Sequence, residues 1–273
     1  MELIQVNEKY IPDEGYYFGN GLFETIHVVA GQPLRLSRHL ARMTKSAIAL
    51  GFLEADRAPV FYQELKEKIL SHLEGRWKGK QLPADVVLKV AYACGTLHFQ
   101  MRENTYTEED YERGFAVEFS KILRNETSPF TYHKSLNYGD NIREKRRAHI
   151  EGFDEPIFLN TRGEVTEGAT TNIFLIKDYV IYYPPVSSGL LAGTMRSELL
   201  DFFLTRQEQD FDGNDQVCSQ YQLQEKILYP QDIKEAEDMF LTNALLGVMP
   251  VWRCQETVFA RRSKILTVLQ EMF

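Results

Sequence analysis

Alternation of apolar and polar residues divides the chain into short strands separated by a few amphipathic helices. Leu22-Phe-Glu-Thr-Ile-His-Val-Val29 is dense in β-branched and aromatic residues and predicts a strand. It is entered through the glycine-rich turn Gly15-Tyr-Tyr-Phe-Gly-Asn-Gly21 and closed at Gly31-Gln-Pro33. Between 36 and 50 the period becomes helical: Leu36, Leu40, Met43, Ala47 and Leu50 form one apolar stripe, with Ser37 near its start and Gly51 at its end. A second helix is predicted over Ala58 to Leu73 and a strand over Asp85 to Tyr92. A charged turn follows at Glu108 to Gly114, then a strand at Phe115 to Phe119. Residues 1 to 11 alternate weakly and are expected to form a first strand.

Arg124 to Phe130, with Pro129, reads as a linker, and Asp140 to Ile150 as a helix stopped by Gly152. Short strands are expected at Glu155 to Asn160, Thr171 to Ile176 and Val180 to Tyr183. Ser187 to Arg196 is a small-residue loop feeding a helix that ends near Leu204. Gln220 to Ile227 and Ile233 to Ala236 are predicted helical, Asp238 to Val251 strand-turn-strand, and the end a helix carrying Ile265, Leu266, Leu269 and Met272. The pattern predicts two domains of mixed α+β and α/β character: an N-terminal α+β domain over 1–123, a linker over 124–133 and a C-terminal domain over 134–273.

Composition narrows the class. A length of 273 residues exceeds what one small core needs, and 44% hydrophobic with 26% charged residues belongs to a globular protein. A net charge of −8 argues against a nucleic-acid or anionic-membrane partner. Neither an apolar run of membrane-spanning length nor a basic-then-apolar leader is visible, so a soluble, cytoplasmic protein is expected. Three scattered cysteines and six histidines without ligand spacing offer neither a disulfide framework nor a metal site.

The candidate chemistry centres on Lys134, at the junction between the linker and its helix, and on the stretch Gly163-Glu-Val-Thr-Glu-Gly-Ala-Thr-Thr-Asn-Ile-Phe174. An amine and a recessed acid on separate elements are what a Schiff-base cofactor requires. At roughly 100° per residue, Arg42 lies about 120° from the centre of its helix's apolar stripe and Arg38 about 160°, so Arg42 is better placed to lean towards an interior anion. The loop into the helix at Arg196 exposes amides suited to an anion.

These features, in this order, resemble the fold-type IV pyridoxal-phosphate enzymes, a family that includes branched-chain and D-amino acid aminotransferases and 4-amino-4-deoxychorismate lyase. The resemblance spans almost the whole chain. It rests on Phe18-Gly-Asn-Gly-Leu-Phe-Glu-Thr25, His39-Leu-Ala-Arg42, Lys134-Ser-Leu-Asn137, Val165-Thr-Glu-Gly168 with Thr171-Asn-Ile-Phe174, Ala192-Gly-Thr-Met-Arg196, and Phe240-Leu-Thr-Asn-Ala-Leu245 ending in Pro250-Val251. It implies a D-amino acid aminotransferase-like fold with a barrel-like C-terminal domain, pyridoxal 5'-phosphate as cofactor, a small amino substrate and a homodimer.

It also implies roles. Lys134 carries the cofactor and serves as acid and base, and Glu167 keeps the ring nitrogen protonated. Arg42, backbone amides at Gly193, Thr194 and Met195, and the turn at Asn243-Ala244 hold the phosphate. Thr170, Thr171 and Asn172 position the strand beside the ring. Phe18 and Phe23 wall the substrate pocket, and Tyr92 stands where relatives often carry a carboxylate-binding arginine; Arg102, Arg124 and Arg143 are candidate substitutes. The short Lys134-to-Asn137 spacing fits the lyase and D-amino acid enzymes, whereas Thr194-Met-Arg196, Asn243-Ala-Leu245 and Val248-Met-Pro-Val251 resemble the lyase. An aminodeoxychorismate-lyase-like activity is the leading expectation. An aminotransferase of branched-chain or D-amino acids comes second, and a cofactor-binding homologue without turnover third.

Overall fold

The computed structural model describes residues 13–78, 85–206, 215–259 and 263–273, and the strand expected at 1 to 11 lies outside them. The helices are α1 (Glu14–Phe18), α2 (Leu36–Ala49), α3 (Ala58–Trp77), α4 (Glu108–Arg113), α5 (Gly139–Ile150), α6 (Thr194–Arg206), α7 (Asp215–Cys218), α8 (Pro230–Glu235) and α9 (Lys264–Met272). The strands are β1 (Leu22–Val29), β2 (Gln32–Pro33), β3 (Asp85–Ala93), β4 (Thr96–Glu103), β5 (Phe115–Phe119), β6 (Glu155–Leu159), β7 (Val165–Gly168), β8 (Asn172–Lys177), β9 (Val180–Tyr183), β10 (Gln222–Glu225), β11 (Asp238–Asn243), β12 (Gly247–Cys254) and β13 (Thr257–Val258).

Among the described residues the strands form two sheets. The smaller is antiparallel in the order β2-β1-β3-β4. Its alternation is explicit: Leu22, Ile26 and Val28 of β1 and Leu88 and Val90 of β3 turn towards α2 and α3, where Leu40, Met43, Phe61, Leu65 and Ile69 meet them. The intervening residues Phe23, Thr25, Val87 and Lys89 face the other way, into a cavity.

The larger sheet runs β10-β9-β8-β11-β12-β5-β6-β7, with β13 on β12. Its central strands are buried on both faces, which explains their near-continuous apolar runs. Ile173, Leu175, Met239 and Leu241 enter one core, whereas Phe174, Ile176 and Phe240 enter the other against α6 and α9. Phe174 and Phe240 are register partners and stack at 4.8 Å. Burying each such ring stabilises the fold by about 2–3 kcal/mol.

Several elements depart from expectation. Phe115–Phe119, counted with the N-terminal domain, pairs with β12 and β6 in the larger sheet. Gln222–Glu225, expected helical, is a strand parallel to β9: pairing at an open sheet edge overrides the good helix propensity of glutamine and leucine. Glu108–Arg113 is a helix, not a turn, nucleated by a capping box between Thr107 and Asp110. The Gly15–Gly21 turn contains α1, capped by Asp13 and ended by Gly19 at φ 69°.

Candidate active site

Backbone pairing places Lys134. Its carbonyl accepts the Phe23 amide at 2.8 Å, and the Leu136 amide donates to Gly21 at 2.9 Å, so residues 134–136 run antiparallel to the start of β1. The amine is thereby held 4.3 Å from the Phe23 ring centroid and 4.9 Å from that of Tyr138. These two rings meet edge to face at 5.1 Å, and the Tyr138 hydroxyl donates to Ala169 O at 2.8 Å. Among the described residues no carboxylate forms an ion pair with Lys134. Burial, helped by the nearby Arg42 charge, brings its amine down to about 8.

Glu167 leaves β7 towards the same cavity. Oε1 accepts from Arg124 Nη2 at 3.0 Å and Oε2 from the Leu191 amide at 3.0 Å. Arg124 in turn lies 4.1 Å over the Phe158 ring and donates to Asn141 Oδ1 at 2.9 Å. Burial pushes the Glu167 carboxyl up to about 7, with Arg124 opposing it. The carboxyl therefore keeps its proton more readily than an exposed glutamate, and a cation placed beside it would favour the ionised form.

Arg42 is gripped by Glu24, Nε to Oε1 at 2.8 Å and Nη2 to Oε2 at 2.5 Å, and Nη1 donates to Ala192 O at 3.3 Å. His39 Nδ1 shares Glu24 Oε2 at 2.7 Å. Burial opposes ionisation of Glu24, but Arg42 and His39 win and hold it at about 2. Guanidinium has five N–H donors, so two remain for the cavity that Arg42 lines.

Opposite lies the start of α6. Asn172 Nδ2 donates to Leu191 O at 2.8 Å and its Oδ1 accepts the Gly193 amide at 3.1 Å. A side chain at Gly193 would overlap Asn172 Oδ1, so glycine is required there. The Gly193 amide is thus already engaged, a correction to its expected role, whereas the amides of Thr194 and Met195 belong to the first turn of α6, where no acceptor within the helix is available. Met195 gives no side chain to the site, because it is packed in the apolar core. Asn243 Oδ1 accepts the Leu245 and Leu246 amides at 2.8 and 2.9 Å, presenting Ala244 at the tip of a turn.

One cavity of about 460 Å³ collects these groups. Lys134, Glu167, Arg42 and Phe23 line it, as do Thr170, Thr171 and Asn172, and Gly193, Thr194, Asn243 and Ala244. Three expected residues do not: Met195, already placed in the core, Phe18 and Tyr92. Phe18 is 71% exposed on α1, directed outward by the helix that replaces the turn. Tyr92 sits one residue out of phase with Val87 and Lys89 and packs edge to face with Phe61 at 5.0 Å, on the helix side of the sheet. Of the candidate substitutes, Arg102 lines the cavity, Arg124 serves Glu167, and Arg143 is exposed on α5. Unforeseen were Glu24, Lys89, Tyr138 and Lys145; period-two alternation from Phe23 and Val87 would have found Lys89.

The site fits pyridoxal phosphate on its own chemistry. The hydroxyls of Thr194 and Thr242, both on cavity-lining residues, are buried without a partner, a costly arrangement unless a polar group completes it. An amine poised near neutrality, a recessed acid and an anion-facing helix start share the space.

A two-sheet α/β fold with this cavity defines a class of cofactor-dependent enzyme, and the comparisons agree. The model of the family described as Amino-transferase class IV matches residues 21–254, and the chain belongs to that family, whose members depend on pyridoxal phosphate. It is 28% identical to D-alanine aminotransferase of Bacillus licheniformis over 88% of this chain and 81% of that protein. It is 23% identical to aminodeoxychorismate lyase of Bacillus subtilis, over 96% and 89%. The pyridoxal-phosphate-bound form of a hypothetical aminotransferase from Mycobacterium tuberculosis superposes with a TM-score of 0.78 at 19% identity, covering 99% of this chain and 94% of that one, and has the same fold-type IV architecture. Among the described residues no helix is long and apolar enough to cross a membrane.

Proposed function

We propose that the protein is a pyridoxal-phosphate enzyme releasing pyruvate from 4-amino-4-deoxychorismate to give 4-aminobenzoate. The observation that carries the cofactor chemistry is that Lys134 and Glu167 line one cavity while Lys134 has no carboxylate ion-pair partner among the described residues. When bound, the cofactor supplies an aldehyde for the substrate amine and a ring that accepts the electron pair freed at the amine-bearing carbon. Lys134, partly neutral near pH 7, would hold the cofactor through its amine and would take the proton from the amine-bearing carbon of the substrate. Glu167 holds a proton on the ring nitrogen, oriented by Arg124 and the Leu191 amide. Arg42 and the first turn of α6 hold the phosphate. Phe23 and Tyr138 keep water from the amine.

The lyase reading draws on the lyase-like motifs and on the cations Lys89 and Arg102 at the cavity's exposed side, which suit an acidic substrate. The higher identity to D-alanine aminotransferase favours a second reading, transamination of D- or branched-chain amino acids. A homodimer in the cytoplasm is part of the same proposal, supported by the family resemblance and by three cysteines too widely spaced in the sequence to suggest a disulfide framework.

The test is direct. Purified protein with pyridoxal phosphate should absorb in the visible, and Lys134→Ala should lack that band. Pyruvate should then appear from aminodeoxychorismate with no keto-acid acceptor. Amino transfer to a keto acid, without pyruvate release, would replace the lyase by the transaminase.

A further inference from the structure

Lys145 is a second lysine in the cavity, and the scheme above leaves it without a task. Its Nζ lies 2.8 Å from Glu155 Oε2 and donates to Thr170 Oγ1 at 2.8 Å. Glu155 is fully buried and also accepts from the Thr170 amide at 2.5 Å and from the hydroxyls of Thr170 and Thr171 at 3.0 and 3.1 Å. Its charge is therefore shared among several donors. An ammonium has three N–H bonds. Two are engaged here, and the third is left for the cavity that Lys145 lines.

The wall around this amine is firmly tied. Asn243 Nδ2 reaches the Thr170 carbonyl at 3.2 Å and the Tyr106 hydroxyl at 3.5 Å. The lining carries Arg42, Lys89, Arg102, Lys134 and Lys145 against one acid, Glu167, which is paired with Arg124. Glu24 offsets Arg42, at the end next to Gly193. Positive charge therefore gathers towards the half-exposed side, where Lys145, itself paired with Glu155, is the most firmly held of the cations.

We propose that Lys145 is a specificity residue whose third N–H holds a carboxylate of the amino substrate against the wall built by Thr170 and Asn243. The inference rests on the reading of this cavity as an amino-substrate site.

Lys145→Met alone would strand the buried Glu155, so the informative protein is the double variant Lys145→Met with Glu155→Gln, which keeps volume and removes both charges. Calorimetry on the cofactor-loaded protein would compare 4-aminobenzoate with aniline, which differs only in lacking the carboxylate. The wild type should prefer 4-aminobenzoate by roughly 10- to 100-fold, the value of one hydrogen bond to a charged group. The double variant should retain under about threefold and Lys145→Arg most of the preference, with pyridoxal-phosphate affinity, read by absorbance, unchanged. A preference that survives in the double variant, or is missing from the wild type, overturns the proposal. So does a parallel loss of cofactor affinity, which would make the pair part of the cofactor mount. Failure of the lyase reading is separate: the preference would stand while no pyruvate is released.

Discussion

Replacing Glu24 by glutamine tests whether the Arg42 anchor contributes what its geometry implies. Glu24 is 2% exposed and carries Arg42 and His39 on its two oxygens. Its folded carboxyl titrates at about 2 against an ordinary 4.5. At about 1.4 kcal/mol per pH unit, that difference contributes about 3 kcal/mol to stability. Breaking a buried pair from one side independently suggests about 3–5 kcal/mol, because Arg42 is left charged and uncompensated. With an unfolding entropy of roughly 2.1 cal/mol/K per residue, a 3 kcal/mol loss lowers the Tm by about 5 °C for a chain of this size. The sign with pH follows from the depressed value: the contribution is complete above pH 4.5 and fades as pH falls towards 2. Scanning calorimetry of cofactor-free wild type and Glu24→Gln should show a gap of about 5 °C at pH 7, shrinking to roughly 2 °C at pH 3. A gap below about 1 °C at pH 7, or one constant between pH 5 and 3, would refute the argument.

Two further outcomes follow from the same electrostatics. Arg124→Met removes the cation opposing burial at Glu167, so its carboxyl should move above about 7; pyridoxal-phosphate affinity should fall about tenfold at pH 7 relative to wild type and recover at higher pH, measured by spectrophotometric titration. For Lys134, whose amine titrates near 8, the rate of visible-band formation on mixing with pyridoxal phosphate should rise from pH 6 to 8 and level off above; a flat profile over that range would remove the neutral-amine requirement.

The helix over 36–49, the strand Leu22–Val29 and the Lys134, Glu167 and Arg42 trio were legible because each signal is local: a 3.6 period, a period of two, or a short motif. Tyr92 was misread because its position depends on register. In β3 one step separates a cavity-facing Lys89 set from a helix-facing Val90 set, and only the pairing with β1 fixes which is which. Gln222–Glu225 was missed for a related reason, since its strand exists only because β9 offers an open edge. Glu24 could not be recognised as Arg42's partner without knowing that β1 lies beneath α2. Phe18 illustrates the converse: a motif position was matched, but the helix Glu14–Phe18 turns its side chain outward.

The two cavity lysines show why residue type alone could not assign chemistry here. Lys134 sits against two aromatic faces with Arg42 near, and burial without a carboxylate partner brings it to about 8, so roughly one amine in ten is neutral at pH 7. Lys145 is also held away from water, but Glu155 at 2.8 Å outweighs that burial and raises its amine above the ordinary 10.5. Fewer than about one in a thousand is then neutral at pH 7. A nucleophile needs the neutral form and an anion-binding group needs the charged one. The same side chain is thus committed to opposite tasks by a single neighbouring carboxylate, and moving that carboxylate, not the lysine, is what would exchange them.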